Sequence, residues 1–143
     1  MSFDKNRVLL RVNFIIQQLS YLKEYEFISF ENYQNNFEKK ATIERTLELM
    51  IQAAIDINRH LITKKLRLPF PETAKQSFLQ LQQENILTEA LAKQLAKSAG
   101  LRNILAHEYL ELDDTIIYQS IPLALSQYPL YIKQIITYLD SLN

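Results

Sequence analysis

Apolar residues recur at three- and four-residue steps along most of this 143-residue chain, the spacing of a helix with one buried face. The first such pattern predicts a helix from about Asp4 to Glu26, with Asp4 as N-cap and Val8, Val12, Ile15, Leu19 and Leu22 on its inner face. The second runs from about Phe30 to Lys65. Leu47, Met50, Ala54, Ile57 and Leu61 form one stripe there, and Ile51, Ile55 and Ile62 form another beside it. Two stripes predict burial on several sides, at the centre of a bundle or partly at a subunit interface. Leu68-Pro-Phe-Pro71 ends that helix, because proline lacks the N–H and disfavours helix before it.

A short helix follows at about Glu72–Glu84, burying Phe78 and Leu81 and ending at Asn85. Thr88 caps the next, which carries Leu91, Leu95 and Ala99 in register and the only glycine, Gly100. Asp113 or Asp114 starts a last helical region to about Leu142. Ile132, Ile135, Ile136 and Leu139 form its apolar face, and Pro122 and Pro129 predict a kink or a break. The expected fold is all-α: an antiparallel bundle of four to five helices, one domain over residues 1–143.

Composition narrows the chemistry. A single glycine removes the phosphate-cradling loops and dinucleotide fingerprints that need φ > 0. The absence of cysteine excludes disulfides and thiol nucleophiles and suits a reducing cytoplasm. Two histidines without His-Glu-x-x-His spacing give no zinc motif, so no metal or cofactor is expected. No secretion signal and no apolar run near ~18 residues is present, so no membrane span is expected. Net charge is zero but uneven: residues 39–67 hold seven basic side chains against three acidic ones. A basic middle attracts phosphate, and a solvated helix face looks the same.

Polar residues cluster in Arg102-Asn103-Ile104-Leu105-Ala106-His107-Glu108-Tyr109. Asn103 and His107, four apart, share a helix face; Arg102 and His107, five apart, diverge by about 140°. They converge on one phosphate only if the helix ends near His107 or a second subunit supplies the complement, a reason to expect a dimer. RNA carries its own nucleophile, the 2′-hydroxyl. Cleavage needs a proton acceptor and donor, served by histidine, and a cation on the transition state, served by arginine. Asn103 can orient the imidazole or a phosphate, and Tyr109 can hydrogen-bond or stack. On these residues alone the structural account stands ahead: His107 meeting carbonyls at a helix end, Arg102 paired with Glu108 or Glu111, and Tyr109 packing its ring.

Arg102-Asn103, His107, Glu108 and Tyr109 match the Arg-x4-His-x-Tyr pattern of the HEPN superfamily. Gly100-Leu101, together with Ile43-Glu44-Arg45-Thr46-Leu47-Glu48, Ile51-Gln52-Ala53, Ile55-Asp56-Ile57 and His60-Leu61-Ile62, resembles its HepT branch. The resemblance spans most of the chain and reverses the weighting. It implies the toxin of a type VII HepT/MntA toxin–antitoxin pair, a dimeric metal-independent endoribonuclease with its motif in a cleft at the dimer interface. Arg102 and His107 would then be catalytic, with Asn103 supporting them. Tyr109 would be the site where a nucleotidyltransferase antitoxin of the MntA type attaches AMP. The implied partners are RNA, that antitoxin and a second copy of the chain, with a larger hetero-oligomer left open, in the cytoplasm. The alternatives are a non-catalytic HEPN-like module that docks a nucleotidyltransferase, and a structural bundle.

Other polar groups have simpler readings. His60 is expected to be a partly buried helix histidine. Lys64, Lys65 and Arg67 suit a helix C-terminus, or steer RNA or the antitoxin. Arg45 pairs with Glu44 and Glu48 on the surface. Tyr128, Tyr131, Tyr138, Phe14, Phe27 and Phe30 belong to core or rim, since no basic residues interleave with them.

Overall fold

The structure, a computed structural model, describes residues 2–107 and 113–142, and of Ala106 and His107 the backbone only. All regular structure among the described residues is helical: α1 (Lys5–Lys23), α2 (Phe30–Asn35), α3 (Phe37–His60), a wide π turn (Leu61–Lys65), α4 (Ala74–Gln83), α5 (Glu89–His107) and α6 (Asp114–Asp140).

The expected caps are present: Asp4 accepts from the Asn6 and Arg7 amides, Asp113 from Thr115 and Ile116, and Thr88 from Leu91. Thr73, accepting from Gln76, is a further cap the sequence reading did not name. Among the described residues six α-helices stand where four to five were expected, because the span 30–65 holds two of them. Asn36 leaves helical geometry and its side chain accepts from the Lys39 amide, so it ends α2 and caps α3. The prolines do not break α6, which runs unbroken past Pro122 and Pro129. Both are exposed, so water can satisfy the carbonyls that lose a donor.

α3 is the central helix, and both its stripes are buried within the lone chain. α1 lies antiparallel against it, with Asp4 beside His60 and Arg11 beside Asp56. α6 runs parallel to α3: Lys40 pairs with Asp114 at 2.8 Å near their starts, and the Tyr131 hydroxyl donates to Asn58 at 2.7 Å further along. α5 returns antiparallel to α6, with Ser98 on Tyr128 and Thr88 on Gln134. The C-terminal end of α5, which carries the motif, therefore lies toward the starts of α3 and α6.

A buried polar chain crosses the core. Asn58, fully buried, donates to Ser77 at 3.0 Å and accepts from Tyr131, whose hydroxyl also reaches the Ala54 carbonyl. Tyr128 and Tyr131 are core residues as expected, whereas Phe27 is 91% exposed and belongs to neither core nor rim. No described helix is long and apolar enough to cross a membrane.

Candidate functional site

Leu101 and Leu105 on α5 point into the core and fix the helix rotation. That rotation leaves Asn103 exposed and Arg102 half-buried at the border between core and solvent. One Arg102 terminal nitrogen donates to Asn103 Oδ1 at 3.4 Å, a weak bond. Arg102 Nε is closed to solvent and has no hydrogen-bond acceptor among the described residues, nor is Arg102 in an ion pair among them. Among the described residues the guanidinium thus spends little of its donor capacity.

α5 keeps helical backbone through His107. Asn103 and His107 therefore fall on one face, and Arg102 and His107 diverge by about 140° as the spacing demands. The described backbone of α5 runs to His107, which is compatible with both ways the sequence left open, a helix ending near His107 and a second subunit. The His107 imidazole, Glu108, Tyr109 and Glu111 lie outside the described residues. The expected pairing of Arg102 with Glu108 or Glu111 and the placement of Tyr109 lie there too.

Beside the motif, α3, α5 and α6 enclose an open cleft of about 540 Å³. Leu47 and Ile51 form its floor, Leu101 and Ile104 one wall, and Ile116 and Leu123 the other. Burial raises the Tyr128 phenol, which stays protonated and shares a 2.8 Å hydrogen bond with Ser98 at the cleft's end. Ile116, Leu123 and Leu130 are 48%, 53% and 48% exposed. Seven residues apart, they form one outward stripe on α6, separate from its core face. The sequence reading took only the inward face at 132–139. The sevenfold spacing was there to be read, but the prolines between the three residues drew the reading toward a break.

Elsewhere the polar residues follow the structural expectations, with one change of partner. His60 is 7% exposed, and its Nε2 accepts from the Asp4 amide at 2.9 Å. Burial lowers its pKa, assisted by Arg7. Arg45 pairs with Glu48 at 3.1 Å, but Glu44 instead accepts from the Tyr33 hydroxyl at 3.0 Å. Among the described residues no group of three His, Cys, Asp or Glu side chains is arranged to hold a metal.

Comparison with known proteins places the chain. A family model described as ribonuclease HepT-like matches residues 15–135. A tRNA nuclease HepT from Aphanizomenon flos-aquae is 45% identical over 133 residues, 93% of this chain and 90% of that protein. An mRNA nuclease HepT from Shewanella oneidensis is 34% identical over 85 residues, 59% of this chain and 63% of that protein. Among solved structures, a tri-AMPylated Shewanella oneidensis HEPN toxin in complex with MNT antitoxin superposes with a TM-score of 0.82 at 25% identity, covering 94% of this chain and 99% of that one.

Proposed function

The chain belongs to the HepT-like ribonuclease family, and from that premise we propose that it is the toxin of a HepT/MntA pair, active as a homodimer and silenced by AMPylation of Tyr109. It is an endoribonuclease of the HEPN type. The observation that carries the rest is the placement of Arg102: at the solvent border, next to Asn103, without an ion pair among the described residues.

Cleavage on this reading needs no metal. The RNA 2′-oxygen attacks the adjacent phosphorus, the bond to the 5′-oxygen breaks, and a 2′,3′-cyclic phosphate remains. His107 takes the 2′-hydroxyl proton or supplies one to the departing 5′-oxygen. Arg102 holds the phosphate oxygens as charge builds on them, and Asn103 orients imidazole or phosphate. Arg102 and His107 diverge on one regular helix, which supports a second copy completing the site. The α6 stripe of Ile116, Leu123 and Leu130 and the adjoining apolar cleft form the surface that second copy covers.

Regulation uses the same ground. The antitoxin, a nucleotidyltransferase, joins the Tyr109 phenol oxygen to the α-phosphorus of ATP and releases pyrophosphate. Each AMP adds bulk and a negative charge two residues from His107, where an RNA phosphate has to sit. The relative in the antitoxin complex is itself a tri-AMPylated toxin, which supports this reading. The chain acts in the cytoplasm, where RNA and ATP are.

The test is intact mass after co-expression with a nucleotidyltransferase of the MntA type. A gain of whole AMP units, lost in Tyr109→Phe, is expected, together with RNA cleavage in EDTA by the unmodified protein only. Cleavage without any mass gain overturns the modification; intact RNA with unmodified protein overturns the nuclease assignment for this copy and favours the docking module.

A further inference from the structure

Cations gather at the far end of α3 from the motif. Residues 61–65 form a π turn, closed by Leu66 N–H to the Leu61 carbonyl at 2.9 Å, and Arg67 then takes a left-handed φ of 55°. The wide turn carries Lys64 and Lys65 up to the N-terminus of α1, which is anchored by the Asp4–His60 bond. Arg7 and Lys64 both act on His60, so their charges share one neighbourhood. Ser2, Phe3, Asp4, Lys5, Asn6, Arg7 and His60 line an open cleft of about 370 Å³ there.

Two features separate this end from an ordinary solvated face. First, its cations interleave with aromatic rings: Lys65 Nζ lies 5.9 Å from the Phe3 ring centre, and Arg59 lies 4.3 Å from that of Phe70. Phe3 in turn lies 5.4 Å from the His60 ring. Second, Lys5, Arg7, Arg59, Lys64, Lys65 and Arg67 gather here without an ion pair among the described residues, and beside them only Arg11 reaches an acid, Asp56 at 3.8 Å. The one acid in the cleft, Asp4, is spent on capping α1.

We infer that this end of the bundle is a second RNA-binding surface, in which Arg7, Lys64 and Lys65 hold backbone phosphates and Phe3 offers a ring to an unpaired base. The inference rests on the ribonuclease reading for its choice of partner. Leu47 lines the cleft beside the motif, and 17 residues of helical chain at ~1.5 Å each put Lys64 about 25 Å away. A folded RNA reaches both places at once, whereas a hexanucleotide spans them only when almost fully extended. The surface therefore selects for size and shape of RNA, whereas the motif cuts whatever linkage it is given.

The experiment measures binding of a tRNA-sized RNA and of a hexanucleotide across a salt series. It compares the wild type, Arg7→Ala/Lys64→Ala/Lys65→Ala, and a control lacking three exposed lysines elsewhere, Lys23→Ala/Lys93→Ala/Lys133→Ala. The first triple variant should weaken the long RNA at least tenfold and flatten its salt slope by about 2–3, near 0.7–0.9 per phosphate contact. The hexanucleotide should change less than twofold. Equal losses in the control, equal losses for both RNAs, or an unchanged slope overturns the inference. So does weakened antitoxin association with unchanged RNA binding, which assigns the surface to a protein partner. Substitution by Gln repeats the test should the Ala variant melt early. Wild-type protein that binds RNA but cuts neither RNA refutes the nuclease reading, while the salt slopes still decide this one.

Discussion

Replacing Arg102 with alanine separates catalysis from architecture, because the structure gives the side chain little to hold. Its described polar contact within the chain is one 3.4 Å bond to an exposed neighbour, and its Nε finds no acceptor among the described residues. Losing that bond costs less than about 1 kcal/mol, and removing an unsatisfied N–H returns part of it. The half-buried stem adds a packing loss of similar size. A domain of this length shifts by roughly 2–4 °C per kcal/mol, so the melting temperature should fall by no more than about 6 °C. Against a typical stability of ~5–15 kcal/mol the variant stays folded. On the proposed mechanism the same guanidinium faces developing charge in the transition state, where losing a positioned donor costs about 3–4 kcal/mol, or 10²–10³ in rate. Single-turnover cleavage of saturating RNA in EDTA, run beside calorimetry, reads both quantities. Arg102→Lys should recover part of the rate, since it restores the charge without the two-pronged geometry. A rate loss under tenfold, or a melting drop beyond 10 °C that tracks the rate loss, refutes the catalytic role and returns Arg102 to the bundle.

Leu123→Glu places a charge in the middle of the exposed α6 stripe, so light scattering should report monomers and RNA cleavage should fall at least tenfold; a stable, active dimer would show that copies meet elsewhere. Tyr131→Phe strips the partner from the fully buried Asn58 carbonyl oxygen, which costs ~1–3 kcal/mol and lowers melting by about 3–10 °C without altering cleavage of RNA by the folded protein. His60 accepts a hydrogen bond only while neutral, and burial lowers its pKa below the unfolded value near 6.5. The unfolded chain then binds the proton first, so this stabilisation is full above about pH 6.5 and is lost as pH falls toward the folded pKa. Urea midpoints should drop between pH 7 and 5 more steeply in the wild type than in His60→Gln, and equal slopes would refute the coupling.

Local chemistry made most of the architecture readable. Asp4, Thr88 and Asp113 announce helix starts because each offers an oxygen to orphan amides, and that bond depends on a few residues only. The doubled stripe of α3 announced burial on several sides, and the helix is indeed enclosed by its own chain. Asn36 was missed because a capping asparagine and a mid-helix one look alike until the backbone turns. Pro122 and Pro129 pointed to a kink or a break, and of these the break does not occur. Their cost depends on whether the freed carbonyls meet water, and exposure is a property of the packed bundle.

The motif shows the same division more sharply. Its residue types and spacing were legible, and so was the roughly 140° between Arg102 and His107. What the letters could not carry was the state of each atom. Arg102 Nε is closed to water with no described acceptor, next to a terminal nitrogen only weakly engaged. A structural arginine at a core border usually spends its fork on a carboxylate or on carbonyls, since an unmet buried donor costs ~1–3 kcal/mol. Acids are not scarce in the chain, and lysines and arginines on α3 and α5 do take them as partners. Arg102 has no such partner among the described residues, with Glu108 and Glu111 lying outside them; the clamp role proposed for it requires a free fork, because a guanidinium locked to a carboxylate would have to break that pair each time RNA arrived.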